Sequence, residues 1–307
     1  MKKSINSLRK YKVNGVDQWL LESSNNSDKP VLLFVHGGPG STLLPFSDGF
    51  DRFLRDEFIV VHWDQRCAGK SFDKNDIPTD LRIGDFVNDC VEVVKLLKDK
   101  YNKNLFLLGH SWGSLVALKS LDRLKAEVTA YIGVGQLVNV VEGQKLGFEF
   151  ILGKASKANR VIIEKSLGSP PYKEASKVKV LSDYIMKYGG IFSNVSMDNL
   201  QNIAMISKYY SEEDWRNQAR GFELSEKLLH LELEAINLID EIETLSVSSY
   251  FIHGDKDFAT PKTVLDEFLK KFESVEVKVV KNAGHFPFWD QPEEFAKIVC
   301  NIRDLSC

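Results

Sequence analysis

Cysteine is scarce in this 307-residue sequence. The four present, Cys67, Cys90, Cys300 and Cys307, form no C-x-x-C pair and have no metal-ligand spacing with histidine. That spacing indicates neither a disulfide framework nor a zinc site, and the four are expected to be reduced, structural thiols. No H-E-x-x-H occurs, and no cofactor motif stands in its place. No apolar run approaches the length that spans a bilayer, so no membrane partner is expected. Met1-Lys2-Lys3 is followed by Ser4-Ile5-Asn6-Ser7 rather than an apolar stretch, which makes cytoplasm the default location. There is no long basic run and the formal net charge is -3, which argues against a nucleic-acid partner. Internal repeats and low-complexity segments are absent. What remains, 43% hydrophobic and 27% charged residues, is ordinary for a globular protein with one large core or a core plus a smaller second domain. Nothing in it fixes the oligomeric state.

Read in order, residues Tyr11 to Leu21 alternate around Asn14-Gly15, a strong hairpin signal. Val31 to Val35 is a continuous apolar run, as expected of a strand buried on both faces, and it ends in His36-Gly37-Gly38-Pro39-Gly40. Three glycines around a proline cannot extend a strand and leave backbone N–H groups free to approach a ligand. Phe58 to Trp63 is a second such strand, leading to Asp64-Gln65-Arg66-Cys67-Ala68-Gly69-Lys70-Ser71. The tail of that segment mimics a phosphate-binding loop, but the required glycine five places before Gly69 is Asp64, so phosphate binding is rejected. Phe86 to Tyr101 reads as an amphipathic helix with a stripe of Val91, Val94, Leu96 and Leu97. Ala130 to Val134 is another buried strand. Strands alternating with helices imply a mostly parallel sheet covered on both faces.

From Leu137 to about Ile239 the pattern is helical throughout, with helices expected over Lys157–Leu167, Lys173–Tyr188, Asp198–Tyr210 and Glu212–Leu231. Strands resume at Ser248 to His253 and at Val275 to Val280, with helices from Thr260-Pro261 to Phe272 and from Pro292 to Ile302. The expected division is a core, 1–137 and 241–307, interrupted by a helical cap, 138–240.

Candidate chemistry centres on Asn104 to Leu118. A strand-length apolar run turns into helical spacing at Gly109-His110-Ser111-Trp112-Gly113, and the flanking glycines suit a sharp turn that pushes Ser111 outward. A hydroxyl at its free pKa is a poor nucleophile. It needs a base, and an imidazole base needs a carboxylate to fix its tautomer. His285, in Asn282-Ala283-Gly284-His285, and Asp257, in Gly254-Asp255-Lys256-Asp257, each follow a predicted strand, in the order nucleophile, acid, base. Asp255 is the competing acid and reads better as a turn former. His36, His62, His110, His230 and His253 are assigned to structure. Asp64 and Arg66 are expected to form an ion pair bracing the glycine-rich loop.

Together the H-G-G-P-G, D-Q-R and G-H-S-W-G-S segments closely resemble the prolyl iminopeptidase branch of the α/β-hydrolases, over residues 1–137 and 240–307. The resemblance implies an α/β-hydrolase fold with a helical cap and no cofactor. It also implies Ser111 as nucleophile, Asp257 as acid and His285 as base, with the backbone N–H groups of Gly38 and Trp112 as the oxyanion hole. The implied activity is release of an N-terminal proline or another small residue from a small peptide. An ester, lactone or small amide would be cleaved by the same triad, and a non-catalytic binding protein is the remaining alternative. Where that branch has glycine after Asp-Gln-Arg, this chain has Cys67. Glu142, Glu149, Glu213 and Glu223 are unranked candidates for the cap glutamates that bind a free amine in that branch, and a solvated helix face is the better reading of each.

Overall fold

The structure, a computed structural model, describes residues 3–273 and 275–306. Cys307 and the Met1-Lys2 dipeptide lie outside the described residues. Asn14 and Gly15 have φ of 46° and 83°, the pair of left-handed values that a tight hairpin turn demands. Around them β1 (Ile5–Val13) pairs antiparallel with β2 (Val16–Ser24), a longer hairpin than the alternation alone marks out. The other strands are β3 (Val31–Val35), β4 (Ile59–Asp64), β5 (Leu105–His110), β6 (Ala130–Val134), β7 (Ser249–Gly254) and β8 (Glu276–Val280). All eight form one sheet in the order β1-β2-β4-β3-β5-β6-β7-β8, parallel from β4 onward. The order reverses at β3, which lies between β4 and β5. Val35 is in register with Gly109, so the glycine-rich loop leaving β3 and the turn leaving β5 emerge side by side, at the kind of crevice where open α/β sheets build their sites.

The helices are α1 (Ile83–Tyr101), α2 (Trp112–Ser120), α3 (Val140–Lys154), α4 (Lys157–Leu167), α5 (Ala175–Lys187), α6 (Met197–Met205), α7 (Glu212–Glu234), α8 (Leu238–Glu241), α9 (Lys262–Leu269), α10 (Pro287–Asp290) and α11 (Pro292–Ser306). Successive strand residues divide between two cores, as a side-chain period of two requires. Val31, Leu33, Val61 and Leu107 pack with α1, α2 and α9, while Leu32, Phe34, Val60 and Phe106 pack with α11 on the other face. Within the expected α1 stripe, Val91, Val94 and Leu97 are buried and Leu96 only partly so. The helix begins three residues early because the Asp85 carboxylate accepts the N–H of Arg82 at 2.9 Å.

Helices α3 to α8 all lie between β6 and β7. The segment is pinned where it leaves and rejoins the sheet: Asn139 and Asn237 form an antiparallel bridge, and the Leu238 N–H donates to the Val138 carbonyl at 2.8 Å. Helix α6 stops at Met205, short of the expected Tyr210, because Tyr209 and Tyr210 are drawn into contact with Leu21 and Leu44. Among the described residues no helix is long and apolar enough to cross a membrane, and Cys67, Cys90 and Cys300 are free thiols.

Candidate active site

Ser111 sits between β5 and α2 with φ 54° and ψ -121°, a strained conformation for a residue with a side chain. Its glycine neighbours are obligatory. A Cβ on Gly113 would lie 2.0 Å from the Val35 carbonyl, and one on Gly109 would lie 2.5 Å from that of Gly113. Close packing of this turn against β3 brings Ser111 to the glycine-rich loop, where a Cβ on Gly37 would stand 3.2 Å from its Cβ. Trp112 is the first residue of α2, a position whose N–H has no acceptor within the helix. Gly38, at φ 133°, lines the same cavity as Ser111 and His285.

The three segments assigned to nucleophile, acid and base therefore converge. His285 Nδ1 is 2.8 Å from Asp257 Oδ2. The ring lies over Gly135, whose absent Cβ would come within 2.9 Å of it. Asp257 is buried and fully engaged: Oδ1 accepts the N–H groups of Ala259 and Thr260 at 2.9 and 3.0 Å, and Oδ2 also accepts the Thr260 hydroxyl at 2.9 Å. Burial pushes this carboxyl up, but the imidazole of His285 and the hydrogen bonds outweigh it and hold the group down at about 2. With Nδ1 so held, His285 lines one cavity together with Ser111. Asp255 points elsewhere, accepting the Ala283 N–H at 3.3 Å.

One expectation needs correction. Arg66 does not pair with Asp64. Its guanidinium grips Asp89 of α1 through two bonds of 2.6 and 2.7 Å, and Asp89 also accepts from Gln18 and Asn14. Asp64 is instead buried among neutral donors: the hydroxyls of Thr42 and Tyr210 and the N–H of Lys70. Burial raises its carboxyl to about 6 against the pull of those donors. It thus joins the segment after the glycine-rich loop to the segment before α7, with no cation in direct contact. The four candidate cap glutamates lie on solvated helix faces, the better reading of each, and none lines the cavity. Glu142 pairs with Lys145, Glu213 with Lys74, Arg216 and Arg220, and Glu149 and Glu223 face solvent.

Sequence reasoning passed over Gln65, which joins the two halves of the site. Its side chain donates to the His36 carbonyl at 2.8 Å and accepts from the Trp112 indole at 3.0 Å, while its own N–H donates to His36 Nε2 at 3.1 Å. His36 thereby acts as an acceptor, and burial lowers it to about 4. His110 also does more than fill space, since its Nε2 donates to the His285 carbonyl at 2.9 Å, and burial lowers it to about 3. Thr260, three residues past Asp257, was signalled by the D-x-x-T-P spacing of a side-chain-capped turn. His62 binds Asp51 at 2.9 Å and His230 the Lys173 carbonyl, structural roles as expected; His253 lies 3.8 Å from Asp257 in the strand below. Among the described residues no group of three or more His, Cys, Asp or Glu is arranged to hold a metal ion.

The cavity over Ser111 measures about 770 Å³. A narrower one of about 340 Å³ shares Gly38, Ser182 and Phe222 with it and is lined by Asp183, Glu226, Lys179 and His230.

Residues 30–292 match the family model described as the alpha/beta hydrolase fold. Over 303 residues, 96% of this chain and 95% of its own, a Bacillus subtilis (strain 168) protein named "Probable aminopeptidase YbaC" is 27% identical. An Arabidopsis thaliana proline iminopeptidase is 33% identical over 122 residues, 39% of this chain and 30% of its own. The crystal structure of a proline iminopeptidase from Mycobacterium smegmatis superposes with a TM-score of 0.72 at 18% identity, covering 98% of each chain.

Proposed function

The chain belongs to the α/β-hydrolase fold family, and on that footing we propose that it is a serine hydrolase working through an acyl-enzyme, with residues 138–240 serving as its cap. The observation that carries this reading is that His285, 2.8 Å from Asp257, lines one cavity with Gly38 and with a serine held at φ 54°. Ser111 Oγ attacks the substrate carbonyl while His285 Nε2 takes its proton. Asp257 holds the Nδ1–H and stabilises the imidazolium. The N–H groups of Gly38 and Trp112 receive the oxyanion, aided by the positive end of α2. Collapse of the tetrahedral intermediate breaks the bond to the leaving amine or alcohol, which takes the proton from His285. Water then attacks the acyl-enzyme by the same route in reverse.

Two substrate classes follow. Aminopeptidase action, with release of an N-terminal proline or another small residue, is supported by the names of the relatives. A peptide ammonium would then be directed toward Asp183 and Glu226 in the side cavity. The second class is an ester, lactone or amide without a free amine, and it is favoured by the absence of any carboxylate among the described residues lining the main cavity. The test is a panel of prolyl and other aminoacyl amides, their N-blocked forms and acyl esters, with Ser111→Ala alongside. Ser111-dependent turnover of amides with a free amine alone supports the first class. Turnover of blocked or acyl substrates alone supports the second. Equal activity in wild type and Ser111→Ala overturns both.

A further inference from the structure

The described residues lining the cavity over Ser111 include no Asp, Glu, Lys or Arg. Its long wall is aromatic and continuous. Phe192 and Phe286 stack with centroids 4.9 Å apart and planes at 12°. Trp289 lies 4.7 Å from Phe286, Phe46 lies 5.4 Å from Trp289, and Trp215 of α7 lies 5.7 Å from Phe46. Phe286 directly follows His285, so a group seated on this wall reaches the reacting centre without passing a charged side chain. Two of the polar lining groups are already spoken for: Thr42 by Asp64 and His110 by the His285 carbonyl. The volume, about 770 Å³, lies in the range of about 300–1,000 Å³ that accepts sizeable small molecules.

We infer that this cavity is an acyl-binding site for a large, uncharged, apolar or aromatic acyl group, and that the substrates are esters or amides of such acids rather than compounds with an ammonium beside the scissile carbonyl. The inference rests on the serine-hydrolase reading. An ammonium in this space would give up its hydration with no carboxylate to replace it, an expensive exchange. Of the two side-cavity carboxylates, Asp183 is engaged by Lys179 at 2.8 Å, and neither Asp183 nor Glu226 lines the cavity over Ser111. An alkyl or aryl group exchanges water for rings that already pack against one another and need no reordering.

Active-site capture tests this directly. A p-nitrophenyl alkylphosphonate forms a bond from Ser111 Oγ to phosphorus, the serine proton passes to His285, and p-nitrophenolate leaves as a measurable stoichiometric product. The probes are methyl, butyl and hexyl phosphonates and a hexyl analogue with an amino group on the carbon next to phosphorus. The expected second-order rate constant rises about threefold to fourfold per methylene, as about 0.8 kcal/mol of burial per CH₂ implies. The amino analogue is expected to react more than about tenfold slower than the hexyl probe. Phe222 is exposed and borders both cavities, and Phe222→Glu is expected to narrow that gap by supplying the missing countercharge. Rates independent of chain length, or an amino analogue faster than the hexyl probe, would overturn the acyl-site inference while leaving the nucleophile intact. No labelling of wild type by any probe, or equal labelling of Ser111→Ala, would overturn the serine-hydrolase reading itself and the inference with it.

Discussion

The indole N–H of Trp112 donates to the Gln65 side-chain oxygen at 3.0 Å, while the amide end of the same side chain donates to the His36 carbonyl. One buried glutamine therefore sets the distance between the two segments proposed to supply the oxyanion hole. Gln65→Ala leaves the indole N–H and the carbonyl unpaired, at about 1–3 kcal/mol each, and lets the donors drift. The expected result is a kcat lower by about 10- to 100-fold with KM changed by less than about threefold, together with a lowered Tm. Steady-state kinetics and a thermal melt check it; an unchanged kcat in a destabilised protein would limit Gln65 to a structural role.

Asp257→Asn keeps the shape of the acid but sets a neutral amide against His285 Nδ1, so His285 loses its fixed tautomer and the charge that steadies its imidazolium. A fall in kcat of about 10⁴-fold is expected. Single-turnover release of the leaving group will show whether the loss lies in acylation. A drop of less than about tenfold would mean that the acid is another group.

Stability should fall on mild acidification, and the sign follows from three buried groups. His36 and His110 stay neutral in the fold down to about 4 and about 3, against an ordinary 6.5, so unfolding below pH 6.5 takes up a proton at each. Asp64 opposes them, remaining protonated in the fold up to about 6 against an ordinary 3.8. Between pH 6 and pH 4 these groups bind a net of one more proton in the unfolded chain, two histidines less one carboxylate. Their contribution to stability therefore drops by about 1.4 kcal/mol per pH unit as the pH is lowered. Asp64→Asn removes the opposing group and is expected to steepen the slope by about 1.4 kcal/mol per pH unit, read from urea unfolding at a series of pH values. The same slope in both proteins would contradict it.

Arg66→Met strands the buried Asp89 carboxylate with only its neutral amide donors. A destabilisation of about 3–5 kcal/mol is expected, with kcat within about twofold of wild type, because no part of that pair reaches the cavity. Chemical denaturation and kinetics on the same sample separate the two effects.

The framework of the site was legible because Ser111 and the glycine-rich loop each follow an unbroken apolar run stopped by glycine, while His285 follows the alternating Val275 to Val280 strand. Unbroken runs mark strands buried on both faces, and the order of strands along the chain gives the order of groups at the sheet's edge. Partners lying across the fold were not legible. Asp89 reaches Arg66 only because α1 turns that face toward the end of β4, and Asp64 meets Tyr210 only because α6 stops at Met205. Helical periodicity says which residues of the inserted segment are buried, not which of them look into a cavity, so the expected glutamates could not be ranked and none lines it. The aromatic wall draws Phe46, Phe192, Trp215 and Trp289 from separate stretches of sequence, and no single window shows them as one surface.

Since Asn139 and Asn237 are bridged, the two ends of a segment of nearly a hundred residues leave and rejoin the sheet side by side. The cavity wall nevertheless mixes Phe192 and Trp215 from that segment with Phe46, Phe286 and Trp289 from outside it, so a change in either length of polypeptide reshapes the same surface.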